Sequence, residues 1–223
     1  MPIFNIIFIV TILLAIYVHM TGKSSDKDGE TSLQKFWKRE YASNTTRKKD
    51  ISGLGYLKVN LDALPFDYNS SNADIVSKQN LIKELSGKPM INLSSYTNTE
   101  LKLKFGTANI SALTEYDNDY ASFITALDQW AVMLAGNDKD DSAVRVLEYA
   151  VECGSDITNT YRLLASLYAK SHNMSSLESL HAKAEMLTGI TKPAIMKAID
   201  DADPDNTSSI LDKAIQNAES FSK

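Results

Sequence analysis

Cysteine, histidine and glycine are all scarce in this 223-residue chain, which has one cysteine (Cys153), three histidines (His19, His172, His181) and nine glycines. A single cysteine excludes an intramolecular disulfide framework and any Cys-rich zinc site, and three scattered histidines argue against a histidine metal centre. No glycine-rich phosphate loop, nucleophile elbow or His-Glu zinc helix occurs, so the usual motif routes to nucleotide binding, acyl transfer and metal-assisted hydrolysis are closed. Carboxylates are plentiful but fall at no recognisable catalytic spacing. The sequence therefore predicts no catalytic residue, no metal and no cofactor, and no small-molecule substrate. Basic charge is also thin over most of the chain. From Lys23 to Asp50 there are eight Lys/Arg against five Asp/Glu, a local +3, and the remainder carries 15 basic and 23 acidic residues, −8. An acidic body behind a basic neck argues against nucleic acid as a partner.

What is present begins with one long apolar run. Ile3 to Met20 is interrupted only by Asn5, Thr11 and His19. As a helix it would reach about 27 Å, close to the thickness of a bilayer's hydrocarbon core. The residues before it carry no Lys or Arg, and no small-x-small cleavage site follows, so the run reads as an uncleaved membrane anchor rather than a secretory signal. Lys23, Lys27, Lys35, Lys38 and Arg39 follow the span and none precedes it, which predicts a single-pass protein of the cell membrane with its C-terminal body in the cytoplasm.

Behind the anchor, Leu33, Phe36, Trp37 and Tyr41 stand at i, i+3, i+4 and i+8, the spacing of a short amphipathic helix that can lie on the bilayer or on the body. Leu57, Val59 and Leu61 alternate, predicting an extended or β segment over Tyr56–Phe66, with Met90–Leu93 as a candidate pairing partner. Ile75, Ile82 and Leu85 mark a helix within 72–85, stopped at Ser86-Gly87-Lys88-Pro89. From Ile110 to Leu134 the apolar positions keep helical spacing up to a Gly136-Asn137 stop, and Asp141 or Ser142 is a candidate N-cap for the next helix. The chain is thereby divided into an anchor over 1–21, a basic tether with the extended segment over 22–70, a helix with its connector over 71–108, and a helical domain over 109–223. The fold class expected is mainly α.

The C-terminal half superposes on itself at a shift of 34 residues. Seven columns align: Leu127/Tyr161/Ile195, Trp130/Leu164/Ala198, Ala131/Ala165/Ile199, Leu134/Tyr168/Ala202, Ala143/Leu177/Leu211, Leu147/His181/Ile215 and Ala150/Ala184/Ala218. Only His181 is not apolar, and its place in a core column predicts a buried imidazole. With these residues the chain resembles the tetratricopeptide-repeat family, helical hairpins of about 34 residues that stack side by side. The likeness covers 122–221 and predicts two to three hairpins, although the family's closing proline is missing and Asp203-Pro204-Asp205 shortens the third. The whole layout, with TRKKDI at 46–51, YLKVNLDALPF at 56–66 and TNTELKLKFG at 97–106, is similar to a group of small membrane-anchored repeat proteins of Gram-positive bacteria.

The repeat resemblance implies a partner groove lined by the first helix of each hairpin. Asp128, Gln129 and Val132 in the first unit and Asn159, Arg162 and Ser166 in the second are its candidate partner-binding residues. The paired Lys/Asn pattern that grips a C-terminal carboxylate in some members is absent. Asp201, Asp203, Asp205 and Asp212 fall at calcium-loop positions 1, 3, 5 and 12. Asn206 replaces the turn glycine and Pro204 stiffens the loop, so a helix stop explains the segment better than a cation. The function expected is a membrane-anchored scaffold that binds another protein or peptide. The alternatives are a structural subunit of an oligomeric membrane complex and, less favoured, an enzyme of unrecognised type.

Overall fold

The computed structural model describes residues 31–202 and the isolated positions 12, 14 and 17. Among the described residues there are eight α-helices and no strand: α1 (Ser32–Thr45), α2 (Ala73–Ser86), α3 (Asn98–Phe105), α4 (Ile110–Ala135), α5 (Asp140–Glu152), α6 (Thr158–Lys170), α7 (Met174–Glu185) and α8 (Lys192–Asp200). The predicted span at Ile3–Met20 lies outside the described residues, apart from Ile12, Leu14 and Tyr17, which are helical and exposed. No described helix is long and apolar enough to cross a membrane. The described chain falls into two compact units, each assembled from two stretches: Met1–Ile51 with Thr97–Ile110, and Ser52–Tyr96 with Ser111–Lys223. Residues that the linear division had put in separate segments, the neck and the connector, thus fold together.

The first unit pairs α1 with α3. Both helices start on a capping box. Thr31 Oγ1 accepts from Gln34 N while Thr31 N donates to Gln34 Oε1, and Thr97 does the same with Glu100. Each box satisfies two donors that a helix start leaves open. Beyond α1 the chain runs extended past the end of α3. Lys49 N donates to Phe105 O at 3.1 Å, Thr107 N donates to Thr46 O at 3.3 Å, and buried Asn109 donates through Nδ2 to both Lys49 O and Phe105 O at 2.7 Å. The stretches at 46–51 and 97–106 are therefore two halves of one small fold.

The second unit holds the main core. Phe123, Leu127, Trp130, Leu147, Tyr161 and Ile195 are essentially without solvent contact, and burying side chains of this size stabilises the fold by roughly 1.5–3 kcal/mol each. The predicted extended segment is present but forms no strand. Leu57 N donates to Met90 O at 2.8 Å, a backbone bond between the two apolar alternations that is not continued into a ladder. The segment lies in cis on the helices instead. Leu57, Val59, Leu61 and Phe66 pack against the core, Asn60 N donates to Tyr149 Oη on α5 at 2.7 Å, and Phe66 stacks on Trp130 of α4 with centroids 5.2 Å apart. The connector after α2 is tied to α4 by Ile91 N donating to Tyr116 O and Leu93 N donating to Asp117 Oδ1.

Equivalent features recur at the predicted stride. Helices α5 and α7 begin at residues 140 and 174, and α6 and α8 at 158 and 192, both 34 apart. The turns after α4 and α6 close alike. Lys139 N donates to Leu134 O and Asn173 N to Tyr168 O, while Asp138 N donates to Ala135 O and His172 N to Ala169 O. This is the Schellman arrangement, and it needs a left-handed residue just past the helix. Asp138 (φ 56°) and His172 (φ 55°), again 34 apart, supply it without being glycine. The twelve cells of the first four columns are buried, except for partly buried Ala202. Helix α6 packs on α5, α7 and α8.

Two expectations need correction. Asp140 opens α5 and Lys139 precedes it without a side-chain cap, because the left-handed turn at Asp138 has already set the helix start ahead of Asp141 and Ser142. His181 is on α7 but not buried. Its side chain is 38% exposed, with Nδ1 3.7 Å from Glu185 and Nε2 3.5 Å from Asp200, since ring nitrogens that can reach carboxylates on α7 and α8 are more stable half in water than inside a core.

Because His172 carries a Cβ in a left-handed conformation, His172→Gly should raise stability by about 0.5 kcal/mol and the β-branched His172→Val should lower it by about 1 kcal/mol or more. Urea denaturation of the three proteins checks both signs.

Candidate functional site

The six candidate groove residues sit on α4 and α6, but the structure separates them. Asp128 is 9% exposed and faces the first turn of α6, where Thr160 Oγ1 donates to Oδ1 at 2.9 Å and Asn159 Nδ2 donates to Oδ2 at 3.1 Å. Thr160 in turn accepts from Ser155 Oγ at 3.4 Å. The carboxylate is a clamp between two helices rather than a surface group. Its location suits it, since the orphan donors of a helix start favour an oxygen anion. Burial nevertheless dominates and pushes the carboxyl above its ordinary value, with the bonds from Thr160 and then Asn159 pulling it back.

Val132 and Ser166 are also buried, so neither lines an open groove, and half-buried Asn159 is committed to Asp128. The sequence could not separate these from solvated positions because α4 and α6 are each packed on several sides, and a polar residue facing a neighbouring helix has the same spacing as one facing water. Two candidates stay accessible. Arg162 is exposed on α6, and half-buried Gln129 lines an open hollow of about 320 Å³ with Leu81, Ala121, Ser122, Thr125 and Ala126. Leu81 on α2, an exposed leucine, was not singled out by the sequence; its position off the Ile75, Ile82, Leu85 stripe was the available signal.

A second hollow of about 210 Å³ lies among α5, α6 and α7, bordered by Glu148, Glu152, Tyr168, Ser176, Ser179 and Lys183. Tyr168 Oη donates to Glu148 Oε1 at 2.6 Å, and burial, followed by that carboxylate, drives the phenol far above its ordinary value. A phenol held this firmly in its protonated state is a fixed hydrogen-bond donor, not a base. Cys153 closes α5 half-buried, its thiol raised to about 11 chiefly by burial, which removes thiolate reactivity at neutral pH. Among the described residues no group of three or more His, Cys, Asp or Glu is placed to hold a metal ion. Of the four aspartates at calcium-loop spacing only Asp201 lies within the described residues.

No protein-family model, curated protein or solved structure matches the chain. The fold is defined on its own terms as an all-helical protein with eight helices among its described residues.

Asp128→Asn should change how stability depends on pH. Folding raises this carboxyl's pKa, so the protonated wild-type side chain contributes stability below the unfolded carboxyl range, and the contribution is lost as pH climbs through the folded value. The amide does not titrate. The stability of Asp128→Asn relative to wild type should therefore increase as pH rises from the unfolded carboxyl range through the raised folded value and then level off, read from urea midpoints at each pH. A constant difference across that window would mean that Asp128 does not titrate differently on folding.

Proposed function

We propose that this protein is a membrane-anchored interaction scaffold, with helices α4–α8 forming a tetratricopeptide-like array displayed at the cytoplasmic face. The observation that carries the reading is the 34-residue recurrence. Helix starts, left-handed turn residues and turn hydrogen bonds repeat at one interval, as successive units of one hairpin type would. The anchor and orientation rest on the apolar run Ile3–Met20 and on the basic residues that follow it. Anchoring would raise the local concentration of the array for partners at the membrane. Arg162 and Gln129 are the accessible candidates on its first helices; the hollow among α5, α6 and α7 is bordered by the fixed Tyr168 donor and surface charge, and the one beside Gln129 by Leu81, Ala121, Ser122, Thr125 and Ala126.

The test is affinity purification from mild detergent extracts with wild type and Arg162→Ala/Gln129→Ala. The expected result is a partner protein enriched on wild type and reduced about tenfold or more by the double variant, with unchanged helical circular dichroism. If no protein depends on these two positions, the scaffold reading through this face fails. Light scattering of the detergent-solubilised chain gives the competing answer, since self-association through the same face would make it a structural subunit instead.

A further inference from the structure

The two compact units differ sharply in charge. Residues 31–51 and 97–110 carry eight Lys/Arg against three Asp/Glu, giving +5. Residues 52–96 and 111–202 carry 11 against 18, giving −7. Among the described residues, the basic unit also shows the largest cluster of exposed aromatic side chains. On α1, Leu33 and Trp37 are each 62% exposed and Tyr41 74%, one above the other at i, i+4 and i+8. Phe36, 53% exposed, meets Trp37 edge-on at 5.3 Å. Helix α3 packs on the C-terminal part of α1, where Arg39 pairs with Glu100, Glu40 accepts from Thr99 Oγ1, and Lys102 reaches Asn44. The four side chains of the stripe stay exposed beside this contact. Exposed Lys35, Lys38, Arg47, Lys48 and Lys49 belong to the same unit.

We infer that α1 docks on an anionic lipid bilayer, with Leu33, Phe36, Trp37 and Tyr41 set into the headgroup region and the unit's lysines and arginines facing the lipid charge. Trp, Tyr and Phe on one side of a helix, with basic residues around them, are the composition of an interfacial helix. Surface charge of opposite sign attracts the unit to such a membrane, while the acidic second unit is repelled. Chain geometry supplies the address. Only eleven residues separate Met20 from Ser32, so α1 lies within about 40 Å of the end of the span even at full extension. For that address the inference rests on the anchored reading of Ile3–Met20; the stripe and the charge are independent of it.

The two tryptophans make the test direct, because Trp130 is fully buried and Trp37 exposed. The full chain is mixed with phosphatidylcholine vesicles with and without about 30% phosphatidylglycerol, and the emission of Trp37 is taken as the difference between wild type and Trp37→Phe. Docking predicts that on anionic vesicles this emission shifts blue by about 10 nm and its quenching by acrylamide falls at least threefold. Leu33→Ser with Tyr41→Ser, both at exposed positions, restores the quenching. Flotation in 0.5 M salt and in alkaline carbonate separates the two ideas. A chain that floats under both conditions while Trp37 stays as water-accessible as in solution keeps its anchor and overturns the docking of α1. A chain stripped by salt, yet with Trp37 shielded beforehand, supports the docking and overturns the span. Failure to float overturns both. Shielding of Trp37 without vesicles means that another part of the chain or a second copy covers the stripe, and likewise overturns the inference.

Discussion

Gly106→Ala should unfold the α1–α3 unit, at a cost of at least about 3 kcal/mol. Two independent penalties fall on this position. Gly106 holds φ 89° and ψ 146°, a backbone conformation that only glycine adopts without strain. A Cβ built there would lie 2.2 Å from Arg47 O and 2.8 Å from Lys48 Cα, both backbone atoms that cannot swing aside. The only escape is to pull the 46–49 stretch away, which breaks the bonds of Lys49 N to Phe105 O and of Thr107 N to Thr46 O and strands the Asn109 amide. Hydrogen exchange should show protection lost over 32–51 and 97–110 and retained in the core helices α4–α8. A variant that melts within a degree of wild type would show that the close approach of the two stretches is not part of the fold.

Trp130→Ala carries the other large effect, a loss of about 4 kcal/mol. Trp130 is fully buried in α4, and its ring is the surface on which Phe66 stacks, with Tyr68 stacked in turn on Phe66 at 5.6 Å. Truncation removes the largest side chain of the core and the seat of the extended segment together, so amide exchange should accelerate most over 57–68. Trp130→Phe separates the causes. The indole Nε1 is buried without a hydrogen-bond partner, so losing it removes an unsatisfied donor, while the smaller ring still supports Phe66. The phenylalanine variant should therefore lose only about 1 kcal/mol and keep the segment protected. Equal losses in both variants would place the stabilisation in the indole edge rather than in the stack.

Where the sequence was legible, local rules and burial pointed the same way. The helix expected within 72–85 is α2, capped by Asn72, whose Oδ1 accepts from Asp74 N and Ile75 N, and the run from Ile110 is α4, ending beside the Gly136-Asn137 stop. Helix α3 was missed because its eight residues alternate lysine with apolar residues too briefly to show a helical period. The Thr97-x-x-Glu100 capping box was the signal that could have found it. The candidate site was legible by address and not by exposure: Asp128, Asn159 and Ser166 are on the expected helices, yet face or support neighbouring helices rather than solvent.

By itself the sequence determined which stretches are helical and at what interval they recur, because apolar spacing, caps and turn residues act over a few positions along the chain. The tertiary structure alone decided which polar side chains are clamps and which are surface, that Arg47 and Lys48 must run against Gly106, and that the aromatic stripe of α1 stays uncovered. Those outcomes depend on pairs such as Asp128 with Thr160, 32 residues apart, and Thr46 with Thr107, 61 apart. No local pattern encodes such pairs, since their energy exists only once the two partners have met.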